Sequence, residues 1–378
     1  MLDLWIVRER RPGETRVAAT PETVRRMVKE GLRVAVEAGA GDAAFLQDAK
    51  YEEAGARVVS DGAGALAAAD IVLRVTPPLP QETAVKAGAI VIGFFAPHRN
   101  LDAIRGLVRS GATSLSMELV PRIARAQKMD ALSSQSNVAG YKAVLLAASS
   151  LPKYFPLLMT AAGTIQPARV VILGGGVAGL QALATARKLG AVVEVSDVRP
   201  AVKEQVQSLG GKFIDLPMAE SGEGAGGYAK EVSAEFLRKQ QEIVRQRILQ
   251  ADVVITTALV PGRPAPKLVP AETVRGMRAG SVIVDLAAEQ GGNCELTVPG
   301  ETVVREGVTL IGHTNLPATV PHDASVVYAR NVLEVVLLIT QKGEKKLNLD
   351  DEIVRAMVLT HGGEVRHGPT AELIRGAA

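Results

Sequence analysis

"ARVVILGGGVAGLQALATARKLGAVVEVSDVRP", residues 168–200, is the stretch on which the reading of the whole chain turns. An apolar β-branched run leads into a glycine-rich turn, a helical pattern follows, and a second β-branched run closes the segment. Gly174, Gly176 and Gly179 stand in G-x-G-x-x-G order between strand and helix. In that setting the first glycine allows a tight turn, the second lets the backbone approach a pyrophosphate, and the third lets helix and strand pack closely. The helix N-terminus meanwhile offers unpaired N–H groups to an anion. The second strand ends in Asp197, and 197 − 176 = 21 puts this carboxylate where a dinucleotide ribose is held, about 20 residues on. A carboxylate there accepts the 2′-hydroxyl and repels a 2′-phosphate, which favours NAD(H) over NADP(H). Arg199 pulls weakly the other way. Val177 and Val198 adjoin these positions and complete the expected contacts of this turn. The bland alternative is that Asp197 only caps a turn before Pro200.

Working outward, "ADVVITTAL", "AGSVIVDLA" and "GVTLIGHT" continue the strand series, and an earlier series runs through "LDLWIV", "LRVAVEAG", "ADIVLRV", "AIVIGFF" and "ATSLSMEL". Helical patterns alternate with both sets, as in "TPETVRRMVKEG", where Thr20 caps, Pro21 takes the first helical position and Gly31 ends the helix. The expected fold class is α/β, with two Rossmann-like doubly wound parallel-sheet domains. "SNVAGYKAVLLAASSLPKYFPLL" reads as a helical bridge between them, and "DASVVYARNVLEVVLLITQKG" as a helix returning to the first. The N-terminal domain is therefore expected to be discontinuous, residues 1–132 with 321–378, completed by the C-terminal helical segment. Residues 133–320 form the dinucleotide-binding domain.

A chain of 378 residues, 47% hydrophobic, carries two cores comfortably. Its 43 basic and 40 acidic residues are spread without a basic run, which argues against nucleic acid as a partner. Cys294 is the only cysteine, so an intrachain disulfide is excluded and a reducing compartment is expected. The N-terminus enters a strand-like run without a signal-peptide pattern, and "VLEVVLLIT" at 332–340 falls far short of the roughly 20 residues that span a bilayer. The five histidines show neither helical pairing nor a cysteine partner, so no metal is expected.

"PRIARAQKMDALSSQSNVAGYKAV", residues 121–144, crowds more polar side chains into one place than a connector needs. Together with "GGGVAGL", "DVRPAVKEQVQSLGGKF", "GGYAKEVS", "TTALVPGRPAPKL" and "SVIVDLAAEQGGNCELTVPG", it resembles domain I of the proton-translocating nicotinamide nucleotide transhydrogenases. The likeness extends to at least residue 343. It implies NAD(H) on this chain, NADP(H) on a partner's domain III, and a membrane domain II that couples hydride exchange to proton flow. The implied class is the Si-specific, proton-translocating NAD(P)+ transhydrogenase. The chain looks like the split form, in which domain I is a separate homodimeric subunit, cytoplasmic and peripheral on the inner membrane through its partners.

The same resemblance implies that Arg122, Gln127 and Asp130 surround the nicotinamide, with Ser133 adding a hydroxyl. Arg122 and Asp130 are expected to pair and to hydrogen-bond the carboxamide, and Gln127 to sit between the two cofactors. Hydride transfer between nicotinamides needs no protein acid or base, so the demand on these residues is positioning. An isolated Arg, Gln and Asp in this pattern would otherwise read as a solvated loop. "GEGAGGYAK" resembles the family's mobile lid and brings Gly227 and Tyr228 to the cofactor; without the likeness a surface insertion is an equal reading. "TTALVPG" places Thr257 and Leu259 at a strand end where open α/β sheets bind ligands, though Leu259 fits a core position equally.

A soluble NAD-dependent alanine dehydrogenase is the alternative, since that family shares the two-domain layout, "RPGETRVAATPETVRRMVKEG" and "QGGNCE". Such an enzyme moves a proton as well as a hydride and needs a lysine and a histidine in the first domain. Where similar dehydrogenases read K-V-K-E-P, this chain has Arg74 and Thr76, and His98 is displaced, while Glu289 stands about where they have an acid.

Overall fold

The computed structural model describes residues 1–217, 234–259 and 264–376. Two compact units divide the chain, Met1–Gln135 with Pro317–Ala378, and Ser136–Leu316. The chain passes between them at 135/136, inside the Ala131–Ser150 helix, and at 316/317, rather than after 132 and 320.

The first unit is built on an eight-stranded sheet, in the order Glu364–Val365, Val358–His361, Thr113–Ser116, Ile90–Gly93, Ile71–Leu73, Asp3–Ile6, Arg33–Glu37, Arg57–Val59. Its inner strands are parallel and buried on both faces. Leu4 and Ile6 feed one core while Trp5 and Val7 feed the other, which is why these strands read as continuous apolar runs. The Pro21–Lys29 helix starts where expected, with a reciprocal Thr20/Thr23 capping box, and Gly31 follows it at φ +89°.

The second unit carries a seven-stranded sheet, in the order Lys212–Phe213, Val192–Ser196, Arg169–Leu173, Val253–Thr256, Val282–Asp285, Val308–Ile311, Thr302–Arg305. Val170 and Ile172 face one core, and Val171 and Leu173 the other. Both units are thus α/β with doubly wound parallel sheets.

Three features depart from the sequence reading. The bridging helix ends at Ser150, because Pro152 disfavours helical backbone at Leu151; the chain then forms a hairpin, Leu158–Thr160 with Gly163–Ile165. Each sheet has an antiparallel edge: Val358–His361 against Thr113–Ser116 in the first, Thr302–Arg305 against Val308–Ile311 in the second. The segment after Lys346 is therefore not helix alone, since it adds two strands to the first sheet between the Glu352–Met357 and Gly368–Gly376 helices. No helix among the described residues is long and apolar enough to cross a membrane.

Candidate functional site

In the second unit the Arg169–Leu173 strand turns at Gly174, φ +107°, into the Val177–Lys188 helix. A Cβ on Gly174 would collide with the Thr257 hydroxyl, and one on Gly179 would collide with the Gly174 carbonyl. A Cβ on Gly176 would meet nothing within 4 Å. Gly174 and Gly179 are thus required by the protein itself, while at Gly176 the bare backbone faces open space. Gly176 is the N-cap and supplies no side-chain cap, so the first-turn N–H groups stay available to a phosphate.

Asp197 follows the Val192–Ser196 strand. Its Oδ2 accepts from the Gly175 N–H at 2.7 Å, and its two oxygens accept from Arg199 Nε at 2.9 Å and Nη2 at 2.8 Å. Burial pushes this carboxyl up, but the Arg199 guanidinium with the Arg199 and Gly175 N–H groups outweighs it and holds Asp197 below its ordinary 3.8. The carboxylate is ionised and anchored to the glycine turn, and Arg199 neutralises it from the solvent side. Val198 is 81% exposed and Leu259 is 47% exposed, so Leu259 is no core residue; Val177 is exposed as well. Thr257 spends its hydroxyl on the Leu173 and Gly174 carbonyls, at 3.2 and 3.0 Å, and so fastens the glycine turn. Gly227 and Tyr228 lie outside the described residues.

Sequence reasoning missed the layer behind this turn. Gly140, on the Ala131–Ser150 helix, lies so close to the Ala178 carbonyl that a Cβ would collide with it, and Asn137 donates to Gln181 at 2.9 Å. The fingerprint helix is therefore seated on the bridge helix. Buried Asn293 binds the Ala258 N–H and carbonyl and the Pro266 carbonyl, so it holds the segment that carries Leu259. Asp285 accepts from Thr256, Ala287, Cys294 and Thr297. Apart from the bonds of Asp285 to Ala287 and Cys294, the Asn293 and Asp285 bonds link residues 12 to 35 positions apart, and no local spacing announces them. The one hint in the sequence is "QGGNCE" itself. Burial pushes the Cys294 thiol up, which suits a structural cysteine.

In the first unit, Arg122 and Gln127 are exposed, and neither side chain makes a hydrogen bond or ion pair among the described residues. Gln127 lies on a short 3₁₀ helix, Ala124–Met129, in which Ala126 and Met129 are buried three residues apart, so its amide points outward. Asp130 is half-buried and does not pair with Arg122. Instead its Oδ1 accepts from the Ser133 N–H at 2.9 Å and its Oδ2 from the Ser133 hydroxyl at 2.6 Å, capping the helix that starts at Ala131. The expected ion pair is replaced by a cap because Ser133, three residues on, reaches the carboxylate first. Among the described residues no cluster of metal-binding side chains occurs.

Of the residues weighed for the alanine dehydrogenase alternative, Arg74, Thr76 and Glu289 are bonded within the protein. Arg74 is buried, its Nη2 on Glu82 at 2.8 Å and its Nε on the Thr76 carbonyl, while the Thr76 hydroxyl donates to Glu9. His98 is exposed and Glu289 accepts from the Asn315 N–H at 2.7 Å.

Residues 5–139 match the N-terminal domain and residues 143–368 the C-terminal domain of the alanine dehydrogenase/PNT family. An NAD(P) transhydrogenase subunit alpha protein of Rhodospirillum rubrum is 48% identical over 376 residues, 97% of this chain and 98% of that one. The chain belongs to the NAD(P) transhydrogenase alpha-subunit family. The crystal structure of transhydrogenase from Sinorhizobium meliloti superposes with a TM-score of 0.88 at 45% identity, over 96% of this chain and 99% of that one. An alanine dehydrogenase of Halomonas elongata is more distant, 31% identical over 98% of this chain and 96% of its own. Membership in this transhydrogenase family makes the chain a redox protein of the NAD(H)-binding type. The glycine turn and Asp197 are its candidate nucleotide-binding frame.

Proposed function

We propose that this chain binds NADH in its second unit and passes hydride directly to NADP+ held on a partner subunit. A membrane partner couples the exchange to proton translocation. The observation that carries this reading is the NAD-type fingerprint of the second unit, whose Gly176 backbone faces open space; in the first unit, the Gln127 amide is exposed and makes no hydrogen bond among the described residues. The naming of the relatives as alpha subunits supports partner subunits.

The nicotinamide supplies the redox chemistry, as a hydride donor at its ring carbon. The chain's own residues then only bind and orient. The Gly176 turn and helix N-terminus take the pyrophosphate, and Asp197 accepts from the ribose hydroxyl once Arg199 releases one of the carboxylate oxygens it donates to. Arg122 and Gln127 offer donors, and Gln127 also an acceptor, to a carboxamide. Asp130 and Ser133 set the loop's exit. None of these groups has to gain or lose a proton during the transfer. Gly227 and Tyr228 are assigned to the same cofactor on the family likeness alone.

A second copy of the chain is the expected homodimer partner. The hairpin after the bridge helix supports it, since Leu157, Met159 and Ile165 stand exposed there together with Tyr154.

Mixing the purified chain with NADH, an oxidised NADH analogue and the NADP(H)-binding third domain of a split transhydrogenase tests the reading. Cyclic hydride exchange that requires the added domain supports it. Alanine-dependent NADH formation without exchange would favour the dehydrogenase instead, against which the engagement of Arg74 and Thr76 stands.

A further inference from the structure

The Gln127 side chain makes no hydrogen bond among the described residues, so its placement comes from its neighbours: Ala126 and Met129 are buried in the core, and two polar clamps on the segment come from the far end of the sequence. Asn331, on the Pro321–Ile339 helix, is 8% exposed; its Nδ2 donates to the Lys128 carbonyl at 2.7 Å and its Oδ1 accepts from the Ser134 hydroxyl at 2.6 Å. A buried amide on an otherwise apolar helix face is costly unless fully bonded, and here both of its functions are spent on the segment from 128 to 134. Asp351 divides its carboxylate. Oδ1 caps the Glu352–Met357 helix through the Ile353 and Val354 N–H groups, while Oδ2 accepts from Arg125 Nη1 at 2.7 Å. One clamp therefore grips the loop two residues before Gln127 and the other one residue after it.

We propose that Asn331 and Asp351 are positioning residues for hydride transfer, and that the C-terminal return segment serves to fix the Gln127 loop. The inference rests on the transhydrogenase reading of that loop. Neither residue touches a cofactor; Asn331 acts through the backbone at Lys128 and Asp351 through the Arg125 side chain. Asn331 is the stronger clamp, because its side chain is buried and its bonds are part-buried, whereas the Arg125–Asp351 bond is exposed and screened by salt.

The test uses the full chain with the third domain, comparing wild type, Asn331→Asp, which keeps the acceptor and loses the donor, Arg125→Ala, Asp351→Asn and the last two combined. NADH affinity, thermal midpoint and the rate of cyclic exchange are read for each. Asn331→Asp should lower the exchange rate by about tenfold or more, as misplacement near a reacting centre does, with NADH affinity within about twofold. Arg125→Ala and Asp351→Asn should each lower it by about twofold to fivefold, and together by no more than either alone, because they break one contact. Raising the salt concentration should slow wild type towards them. Overturning results are a wild-type exchange rate in a folded Asn331→Asp, or rate losses that track only the fraction unfolded. If Asn331→Asp does not fold, additive losses in the Arg125/Asp351 cycle would refute the proposal. A wild type without exchange would refute the functional reading first, and this proposal with it.

Discussion

Gly176 and Gly179 are both glycine, for opposite reasons. A side chain at Gly179 strikes the Gly174 carbonyl, whereas at Gly176 it strikes nothing in the protein. Gly176→Val should therefore fold with an unchanged thermal midpoint yet abolish NADH fluorescence enhancement, while Gly179→Val should yield little folded protein. A Gly176→Val chain that binds NADH normally would remove the phosphate from this turn. Asp197 makes a second prediction. Its folded value is depressed, so its contribution is present above the unfolded value near 3.9 and lost as pH falls through the lower folded one. NADH affinity should be flat from about pH 9 to pH 5, and Asp197→Ala should weaken it by about tenfold, the order of one charge-assisted hydrogen bond. Titration calorimetry across pH reads both. The glycines and Asp197 are legible in the sequence because fixed spacing carries their roles. Asn293, Asp285 and Asn331 are not, because most of their partners lie tens to hundreds of residues away. Asp130 is legible as a polar loop residue but not as a helix cap, since an Asp-x-x-Ser pattern in a polar loop reads equally well as a ligand-binding turn.

Among the elements, the bridge helix shows where periodicity runs out. Its apolar pattern continues past Ser150, but Pro152 and Pro156 break the backbone, and the hairpin beyond lacks the Asn-Gly turn that announces such structures. The capping box at Thr20, with Pro21 behind it, marks the first helix to the residue. Gly140 carries no such signal, since a glycine within a helical pattern looks merely unfavourable. It allows the bridge helix to touch the fingerprint helix at Ala178. Gly140→Ala should cost about 1–3 kcal/mol in urea unfolding, the range of overpacking, despite the better helix propensity of alanine. A neutral or stabilising effect would show that the two helices separate without loss.

For the molecule as a whole, two doubly wound sheets are legible from the strand series, while their antiparallel edges are not. Short terminal strands such as Glu364–Val365 carry too few residues to show a period. The exposed hairpin gives the fourth prediction: if it forms the proposed homodimer interface, the wild type is a dimer in light scattering and Met159→Asp with Ile165→Asp is a monomer with unchanged NADH affinity. A variant that remains dimeric would move the interface elsewhere.

The central claim is that hydride passes between two nicotinamides with no exchange through a protein acid, a base or water. NADH carrying deuterium at the transferred C4 position, incubated with this chain, the third domain and NADP+, tests it directly by mass spectrometry of the NADPH formed. Deuterium retained in full in the NADPH, with none taken up from heavy water in the converse experiment, is the predicted result. Label lost to solvent, or no labelled NADPH while alanine reduces NAD+, would contradict it.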